Sequence, residues 1–493
     1  MDMATSLVLA IDAGTTGIRT ILYDRRGAEV ASAYREFTQI TPAPSLLEHD
    51  PEEIWAVTRG LIAETMARAG ADGTMIAAAG VTGQRATTLA WDRATGRPLH
   101  NALVWQDLRT YPRCLELSPL IGFPVNPMTS LTKIEWLLQN VPGLRDKVTA
   151  GEALVGTLDS WLIYRLTGGG AFVTDSSNAS TTSLWDPATG KWSPDLAGLL
   201  GLSVDQLATV SPSSAVYGHA DPDLFGGVRV PVAASAGDQQ AAMFGQLCLE
   251  PGAGKATYGT SVMVDVNTGQ QWVNGTGGYA LGLWRLGDVD SYLLEGTVIT
   301  GGAVVGWGHA LRLLESPAES QALAASVPDA GGVAFVPALQ GLGSPYMDPS
   351  AKGALLGLTR ATTRAHVARA LLEGVAFRTR EVVEALRADS PAPAFDRLRV
   401  DGGMAANDLF LQAQADVLGI PVERPSTNQA TSLGIAYLAG LAVGFWQDVE
   451  EIRATRLPVT VFEPGPNAAG LEERYQAWRH AVDAVRSYAA ATR

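Results

Sequence analysis

Cysteine is scarce in this chain. Only Cys114 and Cys248 occur in 493 residues, far apart and outside any CxxC pair. That excludes a disulfide scaffold and a cysteine-ligated metal, and two buried thiols in a reducing compartment are expected. Positive charge is also in short supply. Thirty-six Lys and Arg face fifty Asp and Glu, a formal net charge of −14, which excludes a nucleic-acid or anionic-membrane surface as the main partner. No long apolar run exists. The run at 7–11 stops at Asp12, and the stretch 433–446 is too short for a membrane span, so a buried core helix is expected there. With no basic leader and no cleavage signature, the reading is a cytoplasmic protein. Histidines 49, 100, 219, 309 and 366 stand at unrelated spacings. There is no HExxH, no Cys/His cluster and no GxSxG, which excludes zincin and serine-nucleophile chemistry.

What is present is a soluble globular composition, 46% hydrophobic and 17% charged, with 53 glycines. The length requires two or more domains. The stretch 7–24, LVLAIDAGTTGIRTILYD, organises the first of them. Two apolar runs flank Asp12-Ala13-Gly14-Thr15-Thr16-Gly17 and predict a hairpin with a tight Gly/Thr turn. Glycine lets the backbone approach an anion closely, and turn N–H groups and threonine hydroxyls are donors. Asp12 can hold a metal or its waters, and Arg19 adds fixed positive charge. The turn is neither a Walker A loop nor a dinucleotide fingerprint, and an ordinary glycine hairpin shares its signature.

Along the chain, 29–37 extends the hairpin into a meander. Asp50-Pro51-Glu52-Glu53 starts a helix that Gly70 stops, with Ile54, Val57, Leu61, Ile62 and Met66 on one face. Strands are predicted at 75–81, 87–91, 99–104 and 228–234, and helices at 130–140, 158–166, 298–314 and 366–388. Residues 250–254, EPGAG, mark a domain boundary. Directly after it, 255–266, KATYGTSVMVDV, repeats the hairpin style of the beginning, so a duplicated domain with a ligand between the copies is expected. A strand at 398–400 then enters DGGMAAN, a Gly-rich strand-to-helix turn of the kind that offers N–H groups to a ligand.

Three constellations carry chemistry. Asp238 follows Ala236-Gly237 at a strand end and opens a helix, whose dipole favours an ionised carboxylate. Such a group suits orienting a hydroxyl nucleophile in phosphoryl transfer, although a plain N-cap aspartate looks the same. Gln239 and Gln240 stand beside it. Gln84-Arg85 and Trp105-Gln106-Asp107 each follow a strand. Arg and Asp can hydrogen-bond a polyhydroxylated substrate and Trp can cover its C–H face, against the simpler reading of a surface Arg and a core Trp. Met and Trp in the helices are most simply core.

With DAGTTGIRT, EHDPEEIW, VTGQRATT, NALVWQD, GTLDSWLIYRLTGG, TDSSNAST, AGDQQAAMFGQ, TYGTS, VPALQGLGSPYMDP, VDGGMAAND and TSLGIAYLAGLAVGFW, the chain resembles the FGGY carbohydrate kinases nearly end to end, and among them the glycerol kinase branch. Both signature regions of that family are readable, at 128–137 and 353–373. The resemblance implies an α/β fold of two actin-like ATPase (ribonuclease H-like) domains with an intervening cleft. It divides the chain at 1–249, for acceptor and phosphate hairpin, and 250–493, for nucleotide. It implies ATP and Mg2+, with Asp12, Gly14, Thr15, Thr16, Arg19, Gly259 and Thr260 at the phosphates, Gly302, Gly403, Met404 and Asn407 at the adenosine, and Asp12 and Asp238 at the metal. Asp238 would be the catalytic base, and Arg85, Trp105, Asp238 and Gln239 would meet the acceptor.

The departures bear on the acceptor. Where glycerol kinases carry Glu, Tyr and Phe, this chain has Ala86, Met128 and Met263, and Gly306 replaces a Gln near the nucleotide. Losing a carboxylate, a phenol and a ring removes discrimination for particular hydroxyls, and methionine is adaptable. The expectation is therefore an ATP-dependent kinase of a small polyol or sugar, a tetritol or pentose derivative before glycerol, with true glycerol kinase as the alternative. An actin-like ATPase that regulates a partner and a non-catalytic sensor are the readings from other classes. The expected partner is a small molecule, with no nucleic acid and no membrane; a homo-oligomer, dimer or tetramer, is left open.

Overall fold

The computed structural model describes residues 6–122, 125–455, 458–466 and 468–492. It divides into two compact units. The first comprises Met1–Leu247, Leu281–Ser291 and Gln429–Leu457, and the second Cys248–Ala280, Tyr292–Asn428 and Pro458–Arg493.

The first unit is built on β1 (Leu7–Ala13), β2 (Gly17–Tyr23), β3 (Glu29–Glu36), β4 (Ile76–Gly83), β5 (Ser214–His219) and β6 (Pro231–Gly237). They lie in the order β5-β6-β4-β1-β2-β3. β1, β2 and β3 form an antiparallel meander, while β4 runs parallel to β1 and β6 parallel to β4. β1 is almost continuously apolar because both of its faces are covered. On one side Leu7, Leu9 and Ile11 share a core with Ile54, Leu61 and Ile62 of α1 (Pro51–Ala69). That helix starts and stops as its sequence dictates. The Asp50 side chain accepts from the Glu52 N–H, Pro51 opens the first turn, and Gly70 closes the helix at φ 62°. Glu53 does not complete a capping box. Its carboxylate accepts from the N–H and hydroxyl of Thr38 instead.

Four further helices of this unit bear on the site: α2 (Tyr111–Ile121), α3 (Leu131–Asn140), α4 (Leu158–Leu166) and α5 (Asp238–Gly245).

In the second unit, β7 (Gly254–Tyr258), β8 (Val262–Gly269), β9 (Val289–Val298, in this unit from Tyr292 on), β10 (Leu398–Asp401), β11 (Val422–Pro425) and β12 (Val459–Phe462) lie in the order β9-β8-β7-β10-β11-β12. β7 and β8 form the hairpin, β10 is parallel to β7, β11 parallel to β10, and β12 antiparallel to β11. In order and direction β7, β8, β9, β10 and β11 repeat β1, β2, β3, β4 and β6, so the duplication expected from the two Gly/Thr turns extends through five strands; the outer antiparallel strand differs, since β5 precedes its neighbour in the chain and β12 follows it. The helices of this unit include α6 (Ala303–Ala310), α7 (Arg364–Asp389) and α8 (Asp408–Leu418).

The late helix α9 (Ala430–Ala442) belongs to the first unit. It is the buried core helix expected at 433–446, and two glycines explain how closely it is seated. A Cβ on Gly434 would lie 1.8 Å from the Ala241 carbonyl oxygen of α5, and one on Gly245 would lie 2.0 Å from the Ala430 oxygen. A Cβ on Gly80 of β4 would lie 2.8 Å from the Ile435 oxygen. The chain ends in α10 (Ala468–Ala491) of the second unit.

Three segments differ from expectation, the first being the strand predicted at 99–104, which is only Ala102–Leu103. The helix predicted at 298–314 is the end of β9 followed, after Gly301 and Gly302, by the shorter α6. The strand predicted at 228–234 begins only at Pro231. Among the described residues no helix is long and apolar enough to cross a membrane.

Candidate active site

In the first unit the site grows from three strand ends. β1 ends on Asp12 and the Gly14-Thr15-Thr16 turn, β4 ends just before Gln84-Arg85-Ala86, and β6 ends at Gly237, from which α5 opens with Asp238. Because β4 lies between β1 and β6 with all three parallel, their C-terminal ends converge, where ligands of α/β sheets usually bind.

The Arg85 Nε lies 3.3 Å from Asp238 Oδ1. Asp238 Oδ1 also accepts from the Gln239 N–H at 2.8 Å. Asp238 keeps about a third of its side-chain surface open, while Arg85 is mostly covered. Across the hairpin Asp12 faces Arg19, and the Arg19 guanidinium lies 5.0 Å from the Tyr34 ring centroid. The hydroxyl of Ser432, on α9, donates to Asp12 Oδ2 at 3.4 Å. Burial, followed by the nearby Asp238 charge, pushes the Asp12 carboxyl up to about 7, against the opposing pull of Arg19 and Ser432. Asp12 retains some accessible surface, so its rise reflects a carboxyl set deep among protein atoms at an open mouth.

Asp12 and Asp238 are the two carboxylates the sequence reading expected at a metal. Among the described residues no group of three or more His, Cys, Asp or Glu could hold a metal. A pair of carboxylates is nevertheless what Mg2+ takes from a protein when phosphates and water fill its other positions. The mutual repulsion recorded in the raised Asp12 is what a bound cation relieves, so the residues present fit the ion.

Behind these groups lies a polar network that the sequence reading discounted. His49 is fully buried, its Nε2 2.9 Å from Gln39 Oε1 and its Nδ1 3.4 Å from Gln84 Nε2. Gln84 Nε2 also donates to the Gly14 carbonyl at 3.3 Å, and Gln39 Nε2 to the Thr15 carbonyl at 3.1 Å. The phosphate-type turn is thus held by two amides bridged by one imidazole. Burial brings His49 down to about 4, so it stays neutral at physiological pH, as this bonding requires. On the other flank the Gly237 N–H donates to the Ser177 hydroxyl at 2.8 Å, and that hydroxyl donates to buried Asp175 at 2.9 Å, which anchors the residue preceding Asp238.

The expected acceptor residues Arg85, Ala86, Trp105, Met128, Asp238 and Gln239 all fall in this unit, and Met263 falls in the other. Trp105 Nε1 donates to Thr15 Oγ1 at 3.1 Å, linking one of these expected residues to the turn. Ala86 is buried with φ 59°, a left-handed conformation that costs a β-carbon about 1 kcal/mol. Met128 is 47% exposed in the turn before α3.

In the second unit the β7–β8 turn carries Gly259 and Thr260. Their carbonyls accept from the N–H groups of Gly302 at 2.8 Å and Gly301 at 2.9 Å, at the start of α6. A Cβ on Gly302 would lie 2.6 Å from the Gly259 oxygen and 3.4 Å from Met404 Cγ, so Gly259, Gly302 and Met404 converge. Gly403 opens the turn after β10, and the Asn407 side chain caps α8 by accepting from the Phe410 N–H at 2.9 Å. Gly306 faces open space. Met263 points its sulfur at the Thr297 hydroxyl, 3.5 Å away.

Comparison with known proteins agrees with this architecture. The FGGY family of carbohydrate kinases matches through its N-terminal domain over residues 7–245 and its C-terminal domain over residues 254–443. A glycerol kinase of Carboxydothermus hydrogenoformans is 46% identical over 497 residues, 99% of each chain. Glycerol kinase 2 of Thermotoga maritima is 46% identical over 96% of this chain and 98% of its own. The crystal structure of Plasmodium falciparum glycerol kinase with ADP superposes with a TM-score of 0.91 at 31% identity, covering 98% of both chains. The chain belongs to the FGGY family of carbohydrate kinases, phosphotransferases that act on an alcohol group with ATP and Mg2+.

Proposed function

We propose that this kinase phosphorylates a primary hydroxyl of glycerol. The observation that carries the proposal is the meeting of Arg85 and Asp238 at 3.3 Å beside Gln239, on a chain alike end to end to relatives named glycerol kinase. Arg85 and Gln239 hold the acceptor by its hydroxyls. Asp238 orients the attacking hydroxyl and takes its proton late, as the carboxylate needs position more than basicity in a loose phosphoryl-transfer reaction. Gly14, Thr15, Thr16 and Arg19 in the first unit, and Gly259 and Thr260 in the second, offer donors and positive charge to phosphates. Gly302, Gly403, Met404 and Asn407 take the adenosine. ATP supplies the γ-phosphoryl group, and Asp12 and Asp238 would hold Mg2+, which when bound would offset phosphate charge. Acceptor binding and the first phosphate hairpin are assigned to residues 1–249 and nucleotide binding to 250–493, in a cytoplasmic enzyme of small-molecule metabolism.

A second reading rests on one observation. The residue after Arg85 is Ala86, without a polar side chain and held at φ 59°, and Met128 stands exposed close by in sequence to the α3 start. With Met263 these positions bring no hydroxyl partner, which suits an acceptor longer than glycerol, such as a tetritol or a pentose derivative. Coupled ADP release with glycerol, tetritols, pentitols and ketopentoses separates the two. Efficient turnover of glycerol supports the first reading, and preference for a longer acceptor by about tenfold or more in kcat/KM replaces it with the second.

A further inference from the structure

Lys133 lies in the first turn of α3 with none of its surface exposed. Among the described residues no carboxylate is a hydrogen-bond partner of its ammonium. It donates to three backbone carbonyls, those of Pro127, of Thr129 at 3.1 Å and of Trp105 at 3.4 Å. Asp107, the acid whose charge acts on it, is engaged by Arg109 through two hydrogen bonds of 2.8 Å. A buried ammonium is costly, and burial brings this one down to about 8. An apolar side chain would avoid that cost but would remove the one donor that joins three part-buried carbonyls. The lysine is therefore explained by what it joins. Pro127 and Thr129 flank Met128, and Trp105 lies on a different segment. The same turn is tied on its other side by the Ser130 hydroxyl, which donates to the Ala86 carbonyl at 3.2 Å. Within the turn, the Met128 N–H donates to Asn126 Oδ1 at 2.9 Å. Ala86, Trp105 and Met128 are thus held at fixed spacing by one hydroxyl and one ammonium.

We propose that Lys133 is a specificity-determining positioning residue, whose ammonium sets the spacing between the Met128 turn and Trp105 and thereby the length of polyol the enzyme accepts. The proposal rests on the assignment of Trp105 and Met128 to the acceptor, made above. Lys133 touches neither acceptor nor nucleotide in this account; it acts through the two residues it spaces.

The test uses the full chain carrying Lys133→Met, which keeps length and removes all donors, and Lys133→Gln, which keeps a donor without charge. KM is measured for ATP and for the acceptors glycerol and erythritol. The expected result is an acceptor KM raised about tenfold with ATP KM within about twofold, and a glycerol-to-erythritol kcat/KM ratio shifted at least about fivefold. An unchanged acceptor KM and ratio, or a proportional rise in both KM values, overturns it. Where the variants do not fold, the unmodified enzyme answers. The charged and titratable groups facing the ammonium are Asp107, Arg109 and the Cys114 thiol of α2. From about pH 7 to about pH 9.5, loss of the ammonium proton raises acceptor KM several-fold while ATP KM stays level. A flat acceptor KM overturns the proposal. Trp105→Ala and Met128→Ala separate the two layers. If neither alters acceptor KM or the ratio, the acceptor assignment falls and this proposal with it. If they do and Lys133 variants do not, only this proposal falls.

Discussion

Replacing Asp12 by Asn should stabilise the ligand-free protein while destroying its activity. The reason is the electrostatic state of the carboxyl. Burial and Asp238 lift it from 3.8 to about 7. A shift of about three units corresponds to about 4 kcal/mol of destabilisation once both folded and unfolded forms are ionised. The open mouth of the site screens part of this, which leaves about 2 kcal/mol. For a unit of this size that raises Tm by roughly 4–8 °C. The sign follows from linkage. The folded state holds its proton between pH 3.8 and about 7 while the unfolded chain releases it, so stability falls as pH rises through that window and the penalty is complete above it. The gain from Asn should accordingly be largest near pH 8 and fall to less than half near pH 5, where native Asp12 is already neutral. Thermal unfolding at the two pH values, without nucleotide or Mg2+, reads this directly. A variant melting below the parent at pH 8, or a gain indifferent to pH, would refute the reasoning.

Two further substitutions probe the base and the scaffold. Asp238→Asn keeps the shape at Arg85 and removes the proton acceptor, so kcat should fall about 10³-fold with ATP affinity retained, measured by single-turnover kinetics and nucleotide titration; near-normal turnover rejects the assignment. Gly434→Ala places a Cβ 1.8 Å from the Ala241 oxygen and forces α9 from α5, costing at least about 3 kcal/mol by denaturant unfolding, whereas Gly306→Ala, in a helix and facing open space, should stabilise by about 0.5–1 kcal/mol.

Local chemistry made much of the fold legible. Asp50, Pro51 and Gly70 bound α1 because caps act within a few residues, and the Gly/Thr turns announced both hairpins. Residues 298–314 misled because the apolar run continues from β9 into α6, and only Gly301 and Gly302 mark the break. That α9 belongs with the first unit could not be read at all. Its glycines reveal a close helix crossing only once Ala241 and Gly245 are placed beside them. The same limit applies to the site. Asp12, Arg85 and Asp238 stand at strand ends and draw attention as charges after apolar runs. His49 and Lys133 do not, since their partners are amides and carbonyls from other segments. The one available hint was a lysine among the apolar residues Leu131, Ile134 and Leu137 of α3, a cation placed where burial would demand a partner.

The central claim is phosphoryl transfer to a small polyol through Asp238. Its most direct measurement is ADP release together with identification of the phosphorylated product, with glycerol and longer polyols, in the parent and in Asp238→Asn. The account predicts ADP formed only with acceptor, one phosphomonoester per ADP on a primary hydroxyl, and loss of both in the variant. ADP release that proceeds equally without any polyol, or survives in Asp238→Asn, would contradict it.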